Sequence, residues 1–312
     1  MRKLLNLIKN GELLSRTKYH FAFKKALKFK GTDEEYLINL GKVMLGYTMN
    51  LTSPKTFNEK INYYKLHYKN NLMVMCADKI KVDDYVKSKG FGKLLIQKYK
   101  KYNTPNEINL SELPNKFVLK TNCDSGGVVI CKDKSKFDLK SAIKKLNFSY
   151  NRDYAGFARE WPYSLIEKAV FAEQFIEEKE NNDLIDYKFF CFNGTPKFFI
   201  RCSDRSNGVK IDFFNTDGTL IDVKRANHNC SISAKLDNTI DLTKMVNISK
   251  KLSEDFPFAR IDLYTTCGKI YFGEITFYPS AGLENFNPKI YDEIFGNYFN
   301  IDTIIKSPFF IK

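Results

Sequence analysis

The sequence predicts an α+β fold in which a mainly helical N-terminal region precedes a series of β-hairpins. In residues 1–75, apolar residues recur at helical spacing behind two capping boxes. Between residues 117 and 275, alternating apolar segments are joined by glycine-containing turns, a pattern typical of antiparallel strands. A chain of 312 residues, 43% of them hydrophobic, is also long enough for two or three subdomains.

The composition narrows the classes of function. No run of about 18 apolar residues is present, so no transmembrane helix is predicted, and the N-terminus lacks the apolar stretch of a signal peptide. Seven cysteines without a CxxC pair predict reduced thiols in a cytoplasmic protein, and three histidines make a histidine-rich metal site unexpected. The net charge of +14 attracts nucleic acid, anionic lipid or acidic small substrates. No basic–aromatic RNA-binding motif is present, so nucleic acid is not an expected partner.

The first thirty residues carry nine lysines and arginines against the single acidic residue Glu12. Leu4, Leu5, Leu7 and Ile8 make part of this segment amphipathic at helical spacing. Two interpretations stay open: a packed terminal helix with a solvated basic side, or a helix that lies on an anionic membrane surface. The second interpretation would add peripheral contact with the inner membrane face to a cytoplasmic protein.

The helical region begins with two clear start signals. Residues 32–35 and 56–59 each place Thr as the N-cap and Glu three residues later, which is a capping box. Residues 77–86 predict a further helix, and residues 94–97 a short strand. Lys79, near the start of that helix, has no evident structural role; it is either a surface lysine or a ligand-binding residue.

Two predicted strands, residues 117–120 and 128–131, flank a loop that contains Gly126 and Gly127. Glycines let backbone N–H groups approach phosphate oxygens, and Lys120 at the end of the first strand could reach the same phosphates. A strand follows the glycines, so the loop is a hairpin flap and not a Walker A loop, which would begin a helix. A plain hairpin turn is the alternative interpretation.

The middle of the chain predicts alternating helices and hairpins. A buried strand ends in an acidic cluster at residues 177–180, and Asn193-Gly194 marks a tight hairpin turn. The predicted elements are a helix over 138–146, strands over 169–176, 187–192, 197–201 and 209–214, a helix over 242–252 and a closing helix over 287–299.

The last predicted hairpin has arms over residues 259–264 and 269–275 and carries the clearest chemical signal. Asp262 and Glu274 lie on opposite arms, where cross-strand neighbours nearly touch. Two adjacent carboxylates repel each other unless a cation lies between them, and hard oxygen ligands suit magnesium, which often brings nucleotide phosphates. Arg260 shares the face of Asp262 and could hold an anion beside the metal. The alternative is a pair of solvated residues on an exposed face.

The order of these features is specific: a lysine before a glycine flap, an acidic strand end, an Asp-x-Lys strand, and R-x-D and E-x-T hairpin arms. The chain resembles the TupA-like ATP-grasp family of teichuronopeptide and capsular polysaccharide biosynthesis. The phrases that carry the resemblance span about residues 56–290: ADKIKVDDYV, LPNKFVLKTNCDSGG, REWPYSLIEKAVFAEQFIE, DYKFFCFNGTPKF, DFPFARIDLY and YFGEITFYPSAGLENFNP.

The resemblance implies an ATP-grasp fold, in which two α+β subdomains clasp ATP. The implied division is an N-terminal helical region over 1–110, a central subdomain with the glycine flap over 111–180, and a C-terminal subdomain with the magnesium site over 181–312. For the ribose, Asp186 is the implied ligand and Glu180 the alternative. The other implied ATP ligands are the phosphate-binding Lys79, Lys120, Gly126 and Gly127 and the adenine hinge Glu173, Gln174, Phe175 and Ile176.

The resemblance also implies the metal and reaction site. Asp262 and Glu274 match the magnesium carboxylates of the superfamily, and Thr276 stands where a ligand Asn is usual, which is a departure. Arg260 matches the arginine that supports the reacting carboxylate. The γ-phosphate contacts implied are Arg205, Lys188 and Arg201. Two other departures are a shortened glycine flap and Asp83 where relatives tend to carry Arg.

The implied activity is an ATP- and magnesium-dependent carboxylate–amine ligase that acts through an acyl phosphate. Its implied substrates are a uronic acid or related glycan carboxylate and an amino acid or amine, in bacterial surface polysaccharide synthesis, and a homodimer is common in the superfamily. One alternative is a glycosyltransferase, although Asp183 and Asp186 lack the D-x-D spacing of its metal site. Another is a non-catalytic ATP-grasp-like module, which only the Asn-to-Thr departure supports.

Overall fold

The computed structural model describes residues 29–176, 184–204, 208–226, 228–231, 236, 240–266 and 268–312. The basic segment before residue 29, the acidic cluster at residues 177–180, which includes Glu180, and Arg205 lie outside the described residues. The predictions made for them therefore stay predictions.

The two predicted capping boxes are confirmed at the starts of α1 (Asp33–Leu45) and α2 (Phe57–His67). In the second box, the Glu59 backbone N–H donates to Thr56 Oγ1 over 3.2 Å, and the Thr56 N–H donates to Glu59 Oε2 over 3.0 Å. These bonds satisfy N–H groups that a helix start leaves without partners, so the local sequence determines where each helix begins.

The helix predicted over residues 77–86 is confirmed only from Val82 onward, because α3 (Leu72–Ala77) and α4 (Val82–Ser88) are separated by a turn. The Asp78 carboxylate accepts a hydrogen bond from the Ile80 N–H over 2.8 Å, an Asx turn that competes with helical pairing. The Asn122 side chain also donates to Asp78 over 3.0 Å, which ties the turn to the strand region. Lys79 therefore lies in a turn and not on a helix.

The first sheet is fully antiparallel, with strand order β1-β4-β2-β3. Helix α5 (Leu139–Asn151) buries Ala142 and Leu146, and Leu146 packs with the apolar face of this sheet. The helix α6 (Tyr154–Ala158) follows. The strands are β1 (Lys98–Tyr102), β2 (Phe117–Thr121), β3 (Val128–Cys131) and β4 (Val170–Gln174).

The strand predicted over residues 94–97 is also wrong. Gly92–Leu94 forms a 3-10 turn, and the strand β1 begins only at Lys98. Residues 98–102 find a pairing partner in β4, with Tyr102 opposite Val170. Pairing across the sheet, which local patterns do not encode, decides this boundary.

The second sheet has strand order β11-β10-β5-β6-β7-β8, again antiparallel throughout. The helix α7 (Leu242–Ser253) packs against β5, β6 and β10 and buries Met245, Ile248 and Leu252 in the main core. The strands are β5 (Ile185–Phe192), β6 (Thr195–Ser203), β7 (Lys210–Asn215), β8 (Leu220–Ile221), β10 (Phe258–Thr266) and β11 (Lys269–Thr276).

The predicted closing helix over residues 287–299 is shorter than expected. A small strand β12 (Phe286–Asn287) pairs with β9 (Lys224–Arg225), and α8 (Ile290–Asn297) begins after Pro288. The residue before a proline is biased away from helical geometry, which explains the later start. The last helix is α9 (Asp302–Ile305).

The N-terminal helices and the C-terminal end are joined through Asp292 of α8. Its Oδ1 accepts a hydrogen bond from the Asn58 N–H over 3.0 Å, and its Oδ2 accepts one from the Tyr47 hydroxyl over 2.9 Å. Over the ranges that the structure describes, no helix has the length and apolarity to cross a bilayer. The α+β prediction is confirmed.

Candidate functional site

Residues from both sheets line one cavity of about 490 Å³, here called the first cavity. Its walls come from β2, β3 and β4 on one side and from β5, β10 and β11 on the other. Most of the residues that the sequence singled out meet here. They are Lys79, Lys120, Gly126, Glu173, Gln174, Phe175, Ile176, Asp186, Lys188, Asp262 and Glu274.

Ile96, Val118 and Ile130 give the first cavity an apolar part of its wall, and Val118 lies opposite the hinge residue Glu173 in the register of β2 and β4. The hinge residue Glu173 is buried, and its carboxylate forms an ion pair with Lys120. The lysine that the resemblance assigns to phosphate is therefore held at the cavity wall by a carboxylate of the hinge. An apolar slot beside a fixed cation suits a flat ring that carries a charged tail.

The glycine flap folds tightly against the strand that precedes it. Gly126 adopts a φ of 107°, which L side chains rarely accept. A Cβ on Gly127 would overlap Thr121 Oγ1 and lie 2.8 Å from Asp124 Oδ1. The Lys79 ammonium donates to the Asp124 carbonyl, so the turn between α3 and α4 is connected to the flap. Both glycines are thus required by the local geometry, and Gly126 faces the cavity.

We expect Gly127→Ala to lower the free energy of unfolding by about 1–3 kcal/mol, because the added methyl overpacks a closed turn. The displaced flap should also raise the Kd for ATP. Urea unfolding and calorimetric titration measure the two effects. Gly92→Ala is the control, since its Cβ would meet only the flexible Lys87 side chain at 3.3 Å. If Gly127→Ala and Gly92→Ala changed the stability and the Kd for ATP equally, the assignment of Gly127 to a closed flap turn would be contradicted.

Asp262 and Glu274 are direct cross-strand partners on β10 and β11, as the hairpin predicted. Arg260 lies two residues before Asp262 on the same face. Its Nε donates to Asp262 Oδ1 over 2.7 Å, and its Nη2 donates to Asp262 Oδ2 over 2.8 Å and to Glu274 Oε1 over 3.1 Å. The Thr276 hydroxyl accepts from Arg260 over 2.9 Å and donates to Glu274 over 3.0 Å. The three predicted metal ligands therefore form one cluster around the arginine.

Lys188 of β5 is a second cation at this cluster. It lies opposite Asp262 in the register of the two strands, and its ammonium forms ion pairs with both Asp262 and Asp186. Both aspartates are buried. The predicted ribose ligand and the predicted metal ligand are therefore linked through one lysine.

The electrostatics favour the charged forms of Lys188 and Glu274, whereas burial raises the pKa of Asp262 although Arg260 and Lys188 oppose the shift. Burial opposes the charge of Lys188, but Asp262 and Asp186 outweigh it and raise the pKa of the lysine. Burial alone would raise the pKa of Glu274, but Lys79, Arg260 and Lys188 hold it at about 2. Glu274 is therefore a full anion at neutral pH, as a metal ligand must be.

The carboxylate pair fits a magnesium ion only together with other oxygen ligands. In the part of the chain that the structure describes, no group of three or more His, Cys, Asp or Glu is placed to hold a metal. Magnesium is usually bound by one or two carboxylates plus phosphates and water. Two carboxylates that face a cavity with room for phosphates therefore suit it. Arg260 and Lys188 supply the positive charge that balances the pair here.

A second cavity of about 420 Å³ adjoins the first and shares Lys79, Ser125 and Glu274 with it. Arg260 and Thr276 line this second cavity rather than the first. The sequence analysis assigned no role to its other lining side chains. They include Asp124, Arg152, Asp153, Tyr154, Glu160, Tyr163 and Tyr278. A sequence feature that could have pointed to this cavity is the phrase REWPYS, in which a glutamate precedes Trp-Pro within a polar segment.

Glu160, on the wall of the second cavity, and Lys65 are both buried, and their charges influence each other. Glu160 is 5% exposed and Lys65 is 1% exposed. Burial raises the pKa of Glu160 to about 7, although Lys65 and Arg260 lower it in part. Burial likewise lowers the pKa of Lys65 to about 8, and Glu160 opposes this shift.

Two predicted phosphate contacts do not join the site. Arg201 lines neither cavity, and its Nη1 lies 3.7 Å from Asp212 Oδ2. Gly127 contributes through the shape of the flap and not as a lining residue. Asp83, where relatives tend to carry Arg, is paired with Lys98.

Comparison with known proteins gives one family match, to a model described as TupA-like ATPgrasp, over residues 59–300. No curated protein sequence matches the chain. Among solved structures, D-alanine–D-alanine ligase from Bacillus anthracis complexed with ATP is 15% identical, with a TM-score of 0.42 over 74% of this chain and 66% of that one. The corresponding enzyme from Helicobacter pylori is 16% identical, with a TM-score of 0.43 over 82% and 70%.

An L-amino acid ligase from Bacillus licheniformis is 16% identical, with a TM-score of 0.38 over 85% of this chain and 56% of that one. The chain thus spans about two thirds of the length of the Bacillus anthracis ligase and about half of the L-amino acid ligase.

Proposed function

Because the chain belongs to the TupA-like ATP-grasp family, whose model matches residues 59–300, we propose that it is an ATP- and magnesium-dependent carboxylate–amine ligase. The observation that carries the proposal is the direct pairing of Asp262 with Glu274 around Arg260, at the junction of two cavities. One cavity offers an apolar slot with cations, and the other has room for the remaining substrates.

In this proposal, the first cavity binds ATP. The adenine lies in the apolar slot beside the hinge residues 173–176, and Asp186 accepts from the ribose. Lys120 leaves its ion pair with Glu173, and Lys79 leaves the Asp124 carbonyl. Both ammonium groups then contact the phosphate oxygens. A phosphate is a stronger partner for a lysine than a backbone carbonyl, because both groups are charged. The flap at Gly126 covers the phosphates with backbone N–H groups.

Asp262 and Glu274 would hold magnesium, with the Thr276 hydroxyl as a weaker neighbour. When bound, the ion supplies Lewis-acid stabilisation of the charge on the transferring phosphoryl group. Lys188 would exchange its bond to Asp262 for a γ-phosphate oxygen. Arg205 is proposed for the same phosphate on the family resemblance alone.

The proposed reaction has two steps. Arg260 positions the substrate carboxylate, whose oxygen attacks the γ-phosphorus; the bond from that phosphorus to the ADP oxygen breaks and an acyl phosphate forms. The amine then attacks the acyl carbon, the C–O bond to phosphate breaks, and an amide remains. No side-chain nucleophile is needed, so the protein contributes positioning and charge stabilisation.

The proposed substrates are a uronic acid or related carboxylate of a bacterial surface polysaccharide and an amino acid or amine. The family resemblance and the net charge of +14, which favours acidic substrates, support this choice. A cytoplasmic location, peripheral contact with the inner membrane face and a homodimer belong to the same proposal.

The direct test is ADP release in the presence of hydroxylamine, which converts acyl phosphates to hydroxamates. Glucuronate, galacturonate and their UDP-linked forms serve as carboxylates. We expect equal amounts of ADP and hydroxamate with at least one of them, and a loss of both in Lys120→Met. The exposed Lys101 provides the matched control Lys101→Met. ADP release without hydroxamate, or no release with any carboxylate, would overturn the proposal.

A further inference from the structure

Glu160 has a fixed position on the wall of the second cavity, the same cavity that Arg260, Glu274 and Thr276 line. Its backbone N–H donates to the Ala155 carbonyl over 3.2 Å, and its carbonyl accepts from the Tyr163 N–H over 3.2 Å. The side chain is therefore presented to the cavity from an anchored segment.

Glu160 is buried, and its side chain lines the second cavity. No described residue donates a hydrogen bond to it. The nearest cation, Lys65, already donates to Asn62 Oδ1 over 3.0 Å and to the Ala281 carbonyl over 2.9 Å. The Tyr278 hydroxyl is buried in the same wall. Burying such groups without partners costs free energy, which a ligand with a donor would offset.

On the basis of the proposed ligase function, we propose that Glu160 binds the ammonium group of the amine substrate and takes its proton. The second cavity is then the amine site, and it opens toward the Asp262–Glu274 cluster where the acyl phosphate forms. A carboxylate is the side chain that best recognises an ammonium ion, since the pair is charge-assisted.

The substrate class follows from a second charge in the same cavity. Arg152 lines it with a guanidinium that donates to the Ser125 carbonyl over 3.2 Å and lies 3.6 Å from Asp124 Oδ2. With a side chain that is 32% exposed, Arg152 has further donors for an anion. Other charged side chains also line this cavity, among them Lys79, Asp124, Asp153, Arg260 and Glu274. Glu160 and Arg152 together offer a carboxylate and a guanidinium, which match the ammonium and the carboxylate of an amino acid.

The ammonium group loses two protons during amide formation. The ammonium gives one proton to the Glu160 carboxylate, and the free amine attacks the acyl carbon as the C–O bond to phosphate breaks. The departing phosphate takes the second proton, which leaves an amide with one N–H. Burial sets the pKa of Glu160 near 7, which suits a base that works at neutral pH.

The test compares Glu160→Gln with the wild type in transfer to two kinds of amine. Glycine, L-alanine, L-glutamate and L-lysine are ammonium ions at neutral pH, whereas hydroxylamine is largely unprotonated. We expect Glu160→Gln to lower the rate with amino acids relative to hydroxylamine by about 100-fold, the size typical of general base catalysis. Glu167→Gln is the control, because Glu167 is exposed and does not line the second cavity.

The outcomes of this test distinguish the role of Glu160 from the ligase proposal. If Glu160→Gln kept the wild-type ratio of the amino-acid rate to the hydroxylamine rate, the role of Glu160 would be overturned. If the wild-type enzyme yielded neither ADP nor hydroxamate, the ligase proposal itself would be overturned. The double variant Glu160→Gln/Lys65→Met leaves no unpaired buried charge, so it guards against loss of folding in the single variant. The double variant should show the same reduced rate with amino acids relative to hydroxylamine. A wild-type ratio of these two rates in the double variant would also contradict the inference.

Discussion

Glu274→Ala is expected to weaken the binding of ATP with magnesium by more than about 100-fold and to abolish measurable turnover. Glu274 is held ionised with a pKa of about 2, and it pairs directly with Asp262 across the hairpin. Removing it takes away one of the two charged ligands proposed for magnesium, and metal stabilisation of phosphoryl charge is worth several kcal/mol. Calorimetric titration with ATP, with and without magnesium, measures the effect.

The wild type should bind ATP more tightly with magnesium, whereas Glu274→Ala should show little difference between the two conditions. Glu112→Ala is the matched control, because Glu112 is exposed, lines neither cavity and pairs with Lys100 at the surface. A variant Glu274→Ala that keeps the full magnesium dependence would place the metal elsewhere.

Arg260→Met is expected to lower the free energy of unfolding by about 3–5 kcal/mol, the cost of breaking a buried ion pair. Arg260 is 8% exposed and donates to Asp262, Glu274 and Thr276, so its loss leaves the two carboxylates with Lys188 and Lys79 as the nearby cations. Magnesium should restore part of the loss, because a divalent ion then supplies the missing charge. Urea unfolding at neutral pH, with and without magnesium, measures both effects.

The same variant should also change the response to acid. Glu274 has a folded pKa of about 2, below its ordinary value of 4.5, so its stabilising contribution is present above pH 4.5 and is lost as the pH falls toward 2. Without Arg260 the folded pKa rises, and the acid loss of stability should begin at a higher pH. Lys251→Met, an exposed member of a surface pair, should change stability by less than about 0.5 kcal/mol. A variant Arg260→Met as stable as this control would refute the account.

Local patterns were sufficient for the features that depend on short-range geometry. The capping boxes at residues 32–35 and 56–59 follow from spacing alone. The hairpin places Asp262 and Glu274 on neighbouring arms, but their direct pairing also needs the register shift between Asp262 and Leu263. A helix start is decided by its own first turn, and a hairpin by its turn and its alternation. These are interactions within a few residues of one another.

The features that the sequence analysis missed depend on contacts between distant segments. Asp78 forms its turn with support from Asn122, and β1 begins where β4 provides a pairing partner. Glu160 gained a candidate role only when the structure placed it on a cavity wall with Arg260. Local periodicity describes which face a residue occupies, but not which distant element that face meets.

Thermal stability of the wild type, measured with ATP and magnesium and separately with UDP-glucose and magnesium, tests the central claim most directly. Binding to the folded state alone should stabilise the protein by about 3 kcal/mol at one hundred times the Kd. The account predicts a magnesium-dependent rise with ATP and none with UDP-glucose. A rise with UDP-glucose and none with ATP would contradict it and would favour a glycosyltransferase.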